Sequence, residues 1–237
     1  MVPAVCTVVV LVRPGGVLLA ANRDERVDRA WDLPAAWWPD RPGLVAGRDR
    51  TGGGTWLGIN RQGVAAAVLN RAGTLGPAIG KRSRGELPLF ALEHASAESA
   101  AAAIAGLDAA RWRGFNMVLA DAAGAWFVKG IGYGNPTAER LPQGVSMVTA
   151  YDPNDLESPR TARHLPRFQA AEPTAEAWRA LLADSAGEPA QQLNVLVRGG
   201  FGTVSSSAIV LGAEAVPRWY FAAGPPHEAP FRPVAIG

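Results

Sequence analysis

The sequence of 237 residues contains one cysteine, three histidines and no long apolar run. A single thiol excludes an intramolecular disulfide framework and a cysteine-rich zinc site. His94, His164 and His227 lack the spacing of metal ligands, so we expect no metal ion and place His94 and His164 on helix surfaces. No stretch approaches the ~20 apolar residues of a membrane-spanning helix. We therefore expect a soluble, cytoplasmic protein that is not integral to a membrane.

The chain also has little surplus charge. Its 23 basic and 21 acidic residues leave a formal net charge of +2, which is too small to drive binding to nucleic acid or to an anionic membrane. Hydrophobic residues make up 48% of the sequence, a composition that is typical of a folded protein. Because the length suits one large core, we predict that residues 1–237 form a single domain. We also expect that the protein binds no cofactor.

Apolar runs separated by turn residues predict four β-hairpins and two groups of helices. The predicted hairpin strands are 6–12 with 17–21, 55–60 with 64–70, 115–121 with 125–129, and 203–211 with 216–221, and 145–150 is a further strand. The predicted helices are two short ones within 85–105, interrupted at Pro88 and near Ser96, followed by 158–168 and 174–183. This order lacks β-α-β alternation, so it favours two packed antiparallel sheets with helices outside over a parallel sheet.

Residues 28–54 are rich in Trp, Pro, Arg and Gly and show neither a helical nor a strand period. We expect a long ordered loop there, of the kind that covers a site or packs against a sheet edge. The preferred interpretation is a lid.

The first hairpin determines which residues lie opposite Cys6. If Arg13 pairs with Gly16, paired positions sum to about 29, so Cys6 faces Arg23 and meets the polar run 22–25. A cysteine near the chain start can use its own α-amine as a base, with Asp24 accepting a hydrogen bond from that amine and Asn22 or Arg23 polarising a carbonyl or carboxylate. A small core cysteine beside a surface turn explains the same pattern, so both interpretations stay open.

Several segments occur in order between Cys6 and about Ser207: an early Cys-Thr, LLAANRDE, GGTWLGIN, a strand ending in LN, SRGE, GFNMVLAD, and a late Gly-Thr followed by serines. This set resembles the NRDE family, also called the transport and Golgi organisation protein 2 family. That family is similar to the N-terminal-nucleophile hydrolases of the penicillin V acylase and bile salt hydrolase branch. The resemblance implies an α+β fold, a four-layer αββα sandwich of two antiparallel sheets flanked by helices.

The resemblance also implies roles for individual residues. In that branch the amino-terminal cysteine attacks an amide carbonyl, an aspartate holds the cysteine amine, and asparagines shape the oxyanion site. These roles fall on Cys6, Asp24 and Asn70. We expect three further residues to bind substrate: Asn22, Arg23 and Trp56. A carboxylate that only holds an amine is dispensable to the core, so Asp24→Ala is expected to harm activity more than folding.

The implied function is hydrolysis or acyl transfer on a small amide or acyl compound. Residues 1–5 would then have to be removed, because they convert the amine of Cys6 into an amide. The alternative is a non-catalytic carrier of a hydrophobic ligand, such as haem or an acyl-coenzyme A or other lipid, since family members have been connected with such ligands.

Overall fold

The first hairpin begins directly after Cys6 in the computed structural model, which describes residues 6–213 and 215–236. Strands β1 (Thr7–Arg13) and β2 (Gly16–Arg26) are antiparallel. Arg13 pairs with Gly16, and Thr7 pairs with Asn22, so the predicted register is confirmed. Residues 1–5, the predicted removable segment, lie outside the described residues.

The remaining described elements include all the other predicted strands and helices, together with four strands that the sequence does not predict. The other strands are β3 (Trp31–Ala35), β4 (Leu44–Asp49), β5 (Leu57–Asn60), β6 (Ala65–Asn70), β7 (Phe115–Asp121), β8 (Gly124–Gly130), β9 (Thr137–Arg140), β10 (Gly144–Val148), β11 (Phe201–Gly212), β12 (Ala215–Ala222) and β13 (Phe231–Val234). The helices are α1 (Glu86–Ala91), α2 (Ala97–Ala105), α3 (Pro159–Ala170) and α4 (Ala175–Leu182).

The strands form two antiparallel sheets that pack face to face. The six-stranded sheet has the order β10-β1-β2-β11-β12-β13, and the seven-stranded sheet runs from β3 to β9 in chain order. Alternate residues of β1 and β2, among them Val8, Val10 and Leu19, join Ile59 and Val118 in the core between the sheets. The opposite faces of both sheets are also apolar, because each is covered by helices.

Helices α1 and α2 cover the seven-stranded sheet, and α3 and α4 cover the six-stranded sheet. The predicted four-layer αββα sandwich is therefore confirmed. The predicted break at Pro88 is wrong, because Pro88 lies in the first turn of α1, where a missing N–H removes no helical hydrogen bond. No helix within residues 6–213 and 215–236 has the length and apolar character needed to cross a membrane.

Residues 28–54 do not form a lid. They contain β3 and β4, which build one edge of the seven-stranded sheet. A register shift between Asp32 and Ala35 interrupts the pairing, which explains why the segment has no regular period. Trp31 turns toward the core between the sheets, where its ring lies 5.7 Å from that of Trp56 in an edge-to-face arrangement. The Pro-rich end of the chain likewise contains an unpredicted strand, β13.

His164 lies inside the protein, contrary to the expected surface position. Its side chain on α3 is fully buried between the helices and the segment that follows α4. The ring Nε2 lies 2.7 Å from the carbonyl oxygen of Gln191, and Arg167 donates to Nδ1 over 3.1 Å. This arrangement suits a neutral imidazole, and burial, together with the charge of Arg167, lowers the pKa of His164 to about 4.

The low pKa of His164 predicts a loss of stability in mild acid. Between about pH 6.5 and pH 4 the unfolded chain binds a proton at this residue and the folded chain does not, so stability falls as pH falls. We expect a contribution of up to about 3 kcal/mol over this interval. Urea unfolding at several pH values would measure it, with His164→Gln as the variant that lacks this titration. Parallel pH profiles for both proteins would contradict the prediction.

Candidate active site at the start of strand β1

Cys6 lies immediately before β1, and its side chain is half-buried against the core between the sheets. The thiol donates a hydrogen bond to the backbone carbonyl oxygen of Asp24, with 3.7 Å between Sγ and the oxygen. Burial, followed by the negative charge of Asp24, raises the pKa of the Cys6 thiol to about 11. The thiol is therefore protonated at neutral pH in this form of the chain and needs a base before it can attack.

The Asp24 carboxylate forms a buried ion pair on the other face of β2. One oxygen accepts a hydrogen bond from the Thr203 hydroxyl at 2.6 Å, and the other accepts one from Nη1 of Arg160 at 2.9 Å. The same nitrogen of Arg160 donates to the Thr7 hydroxyl at 2.8 Å. Burial raises the pKa of Asp24, whereas Arg160 and Thr203 act in the opposite direction. These hydrogen bonds join β2, β11 and α3 next to Thr7, the residue that follows Cys6.

The alternation of side chains along β2 explains why the polar run splits into two environments. Asn22 and Asp24 point toward the helix layer, whereas Arg23 follows Ala21 toward the seven-stranded sheet. A bulge in β11 then places Thr203 opposite Asp24 and Ser205 opposite Arg23. Strand β2 thus supplies polar side chains both to the helix layer and to the space between the two sheets.

Asn22 anchors β2 to the helix layer. Its amide nitrogen donates to the carbonyl oxygens of Leu182 and Leu193, both at 2.9 Å, and its side-chain oxygen accepts from the Ser206 hydroxyl at 2.6 Å. Both of its N–H groups are therefore used within the protein. The expected contact between Asn22 and a ligand cannot use these donors.

Arg23 and Trp56 line a small cavity beside Cys6. The guanidinium carbon of Arg23 lies 4.0 Å from the centre of the Trp56 ring, within the range of a cation–π contact. The cavity has a volume of about 20 Å³ and is otherwise lined mainly by apolar side chains, with Ser205 among its polar residues. Cys6, Arg23 and Trp56 are therefore brought together, as the sequence predicts for Cys6 and Arg23.

Asn70 ends β6, as expected, one residue after Leu69, which lines the cavity beside Cys6. Ala65, Ala67 and Leu69 face the core between the sheets, whereas Ala66 contributes to the core under α1 and α2. Asn70 lies four positions after Ala66, so strand alternation predicts that its side chain points to the same side of β6 as that of Ala66. Asn70 is half-buried. Its role as an oxyanion donor stays a prediction.

Residues 15–163 match the family model described as Transport and Golgi organisation 2. The chain belongs to this family. Among solved structures, a Caenorhabditis elegans orthologue of N-acylethanolamine-hydrolyzing acid amidase is similar, with a TM-score of 0.60 and 13% sequence identity over 86% of this chain and 92% of that chain. At this identity the likeness establishes the fold alone, which agrees with the sandwich of two antiparallel sheets described above. No curated protein matches the chain.

In this member of the Transport and Golgi organisation 2 family, sequence reasoning missed two residues that bind Asp24. Thr203 belongs to the late Gly-Thr motif, to which the sequence alone assigns no role. Arg160 carries no sequence signal, because it lies 136 positions from Asp24 and reads as an ordinary exposed arginine at the start of α3. Its position becomes apparent only when α3 is packed on the six-stranded sheet.

Proposed function

We propose that the protein is an amidohydrolase that uses Cys6 as an N-terminal nucleophile on a small amide or acyl compound, and that it acts in the cytoplasm. The position of Cys6 supports this most: its thiol contacts the backbone of Asp24 at the head of β1, in a sandwich that resembles that of an amidase. The Asp24 carboxylate and the hydroxyl of Thr7, the residue after Cys6, accept hydrogen bonds from the same nitrogen of Arg160. We assign the carboxylate the task of holding the Cys6 amine.

The chemistry requires a base that the described side chains do not supply. The hydrogen bond of Sγ goes to a carbonyl oxygen, and within the described residues none goes to an imidazole or carboxylate that could accept a proton. The α-amine of Cys6 would accept the thiol proton once residues 1–5 are absent. The thiolate then attacks the amide carbonyl carbon, the C–N bond breaks, and the leaving amine takes the proton. Water hydrolyses the resulting thioester, with Asn70 as the predicted oxyanion donor.

A carrier of haem or of an acyl-coenzyme A is the second candidate. The apolar lining of the cavity favours it, since Val8, Leu57 and Leu69 contribute to the walls. The volume of about 20 Å³ opposes it, because ligand pockets measure roughly 300–1,000 Å³. A haem group would require the two sheets to separate, whereas an amide carbonyl needs only to reach the thiol. We therefore prefer the hydrolase.

Two measurements on native protein test the proposal. N-terminal sequencing is expected to find a chain that starts at Cys6, and Cys6→Ala is expected to reduce turnover of a panel of short amides by about a thousandfold or more. Circular dichroism would confirm that the variant is folded. Tight stoichiometric binding of a hydrophobic ligand, equal in native protein and Cys6→Ala and without turnover, would instead establish the carrier.

A further inference from the structure

Arg23 is a buried cation with unused hydrogen-bonding capacity. Its side chain is 5% exposed, and Nη1 is buried without a hydrogen-bond partner among the described residues. Its nearest carboxylate oxygens, on Asp49 and Glu25, lie 3.7 and 4.0 Å from Nη2, beyond hydrogen-bond distance. A buried donor without a partner is costly, and a charged one more so. An incoming anion would remove this cost.

The carboxylates near Arg23 are already bound by other groups. Arg29 donates from Nε to Asp49 at 2.9 Å and also lies 3.5 Å from Glu25. The other oxygen of Asp49 accepts from the backbone N–H groups of Thr51 and Gly52. The hydrogen bonds of these carboxylates thus go to other groups, and Nη1 of Arg23 is left without a hydrogen-bond partner among the described residues.

The side chains around Arg23 are held in place before any ligand arrives. Trp56 packs edge-to-face on Trp31 and occupies space that only a glycine at position 47 leaves open, since a Cβ there would lie 2.3 Å from the Trp56 ring. Ser205 lies opposite Arg23 in the strand register and lines the same cavity. A fixed guanidinium beside a hydroxyl is a favourable arrangement for a carboxylate.

We propose that Arg23 binds the carboxylate of the substrate, so that the preferred substrates are anionic amides of the N-acyl amino acid class. This inference rests on the proposed function, because Cys6 and Arg23 line one cavity and a bound carboxylate would hold the neighbouring amide near Sγ. The planar guanidinium can bind both carboxylate oxygens at once.

The test compares two probes of equal acyl chain, N-butanoylglycine and N-butanoylethanolamine, which differ in having a carboxylate or a neutral hydroxyl. Calorimetric titration of the full chain carrying Cys6→Ala measures binding without turnover. We expect the glycine conjugate to bind at least about tenfold more tightly, as a charge-assisted pair implies. Added to this background, Arg23→Gln is expected to abolish the preference, and Arg23→Lys to keep part of it.

Arg48 provides a matched control, because its guanidinium also lies over a tryptophan, at 4.2 Å from Trp37, and pairs with Asp32. Arg48→Gln is expected to leave the preference unchanged.

Three results would overturn the proposal: equal binding of the two probes to protein with Arg23, a preference that survives Arg23→Gln, or no binding of either probe at millimolar concentration. Should Arg23→Gln fail to fold, the probe comparison and Arg23→Lys still decide. Tight binding of the glycine conjugate without hydrolysis by active-form protein would refute the hydrolase but keep the anion site.

Discussion

A chain in which methionine directly precedes Cys6 is expected to hydrolyse amides at least about a hundredfold faster than protein that retains residues 1–5. Ordinary methionine removal exposes the α-amine of Cys6, whose pKa lies near about 8. With residues 1–5 attached the same nitrogen is an amide without basicity, and the thiol has a pKa of about 11. A correctly placed general base contributes roughly 10²–10⁴ in rate. Mass spectrometry of a short-amide panel after incubation would measure the gain.

The comparison needs proof that the two proteins differ only at the amino terminus. N-terminal sequencing must show Cys6 as the first residue of the shortened chain, and the thermal melting curves of the two proteins should agree. Cys6→Ala in the shortened chain is expected to remove the gained activity. If the shortened chain begins at Cys6, is folded and shows no gain on any amide, then the amine-assisted mechanism is wrong. The carrier would become the better hypothesis.

The first hairpin could be predicted from sequence because local features determine it. A turn at 13–16 joins two apolar runs, and a tight turn leaves one register. The pairing of Thr7 with Asn22 follows from that register alone. The proximity of Cys6 to the polar run 22–25 was therefore accessible without a structure. The division of that run between two faces also follows from strand alternation.

The environment of Asp24 could not be predicted because distant segments build it. Arg160 reaches it from α3, and Thr203 reaches it only because a bulge shifts the register of β11. Neither contact leaves a periodic pattern in the sequence. Strand β3 gives no clear sequence signal for a related reason, since an irregular edge strand with a proline lacks the alternation that identifies strands.

The second large effect concerns the stability of this buried pair. Asp24→Ala is expected to lower the free energy of unfolding by about 3–5 kcal/mol, because it leaves the Arg160 guanidinium buried without its carboxylate. This replaces the expectation that Asp24 is dispensable to folding, since the Asp24 side chain is 0% exposed and that of Arg160 is 3% exposed. Urea unfolding at neutral pH would measure the loss.

A double-mutant cycle separates the pair from its surroundings. Arg160→Met alone should cost a similar amount, and Asp24→Ala with Arg160→Met should cost clearly less than the sum, because neither charge is then left alone. The exposed pair of Arg26 and Asp28, with 2.7 Å between its charged atoms, is the matched control. Asp28→Ala should leave the urea unfolding curve nearly unchanged, because the pair is exposed to solvent. A loss below about 1 kcal/mol for Asp24→Ala would contradict the buried pair.

Because the loss of stability alone could abolish turnover, the anchoring role of Asp24 must be judged from Asp24→Asn protein that is still folded at the assay temperature.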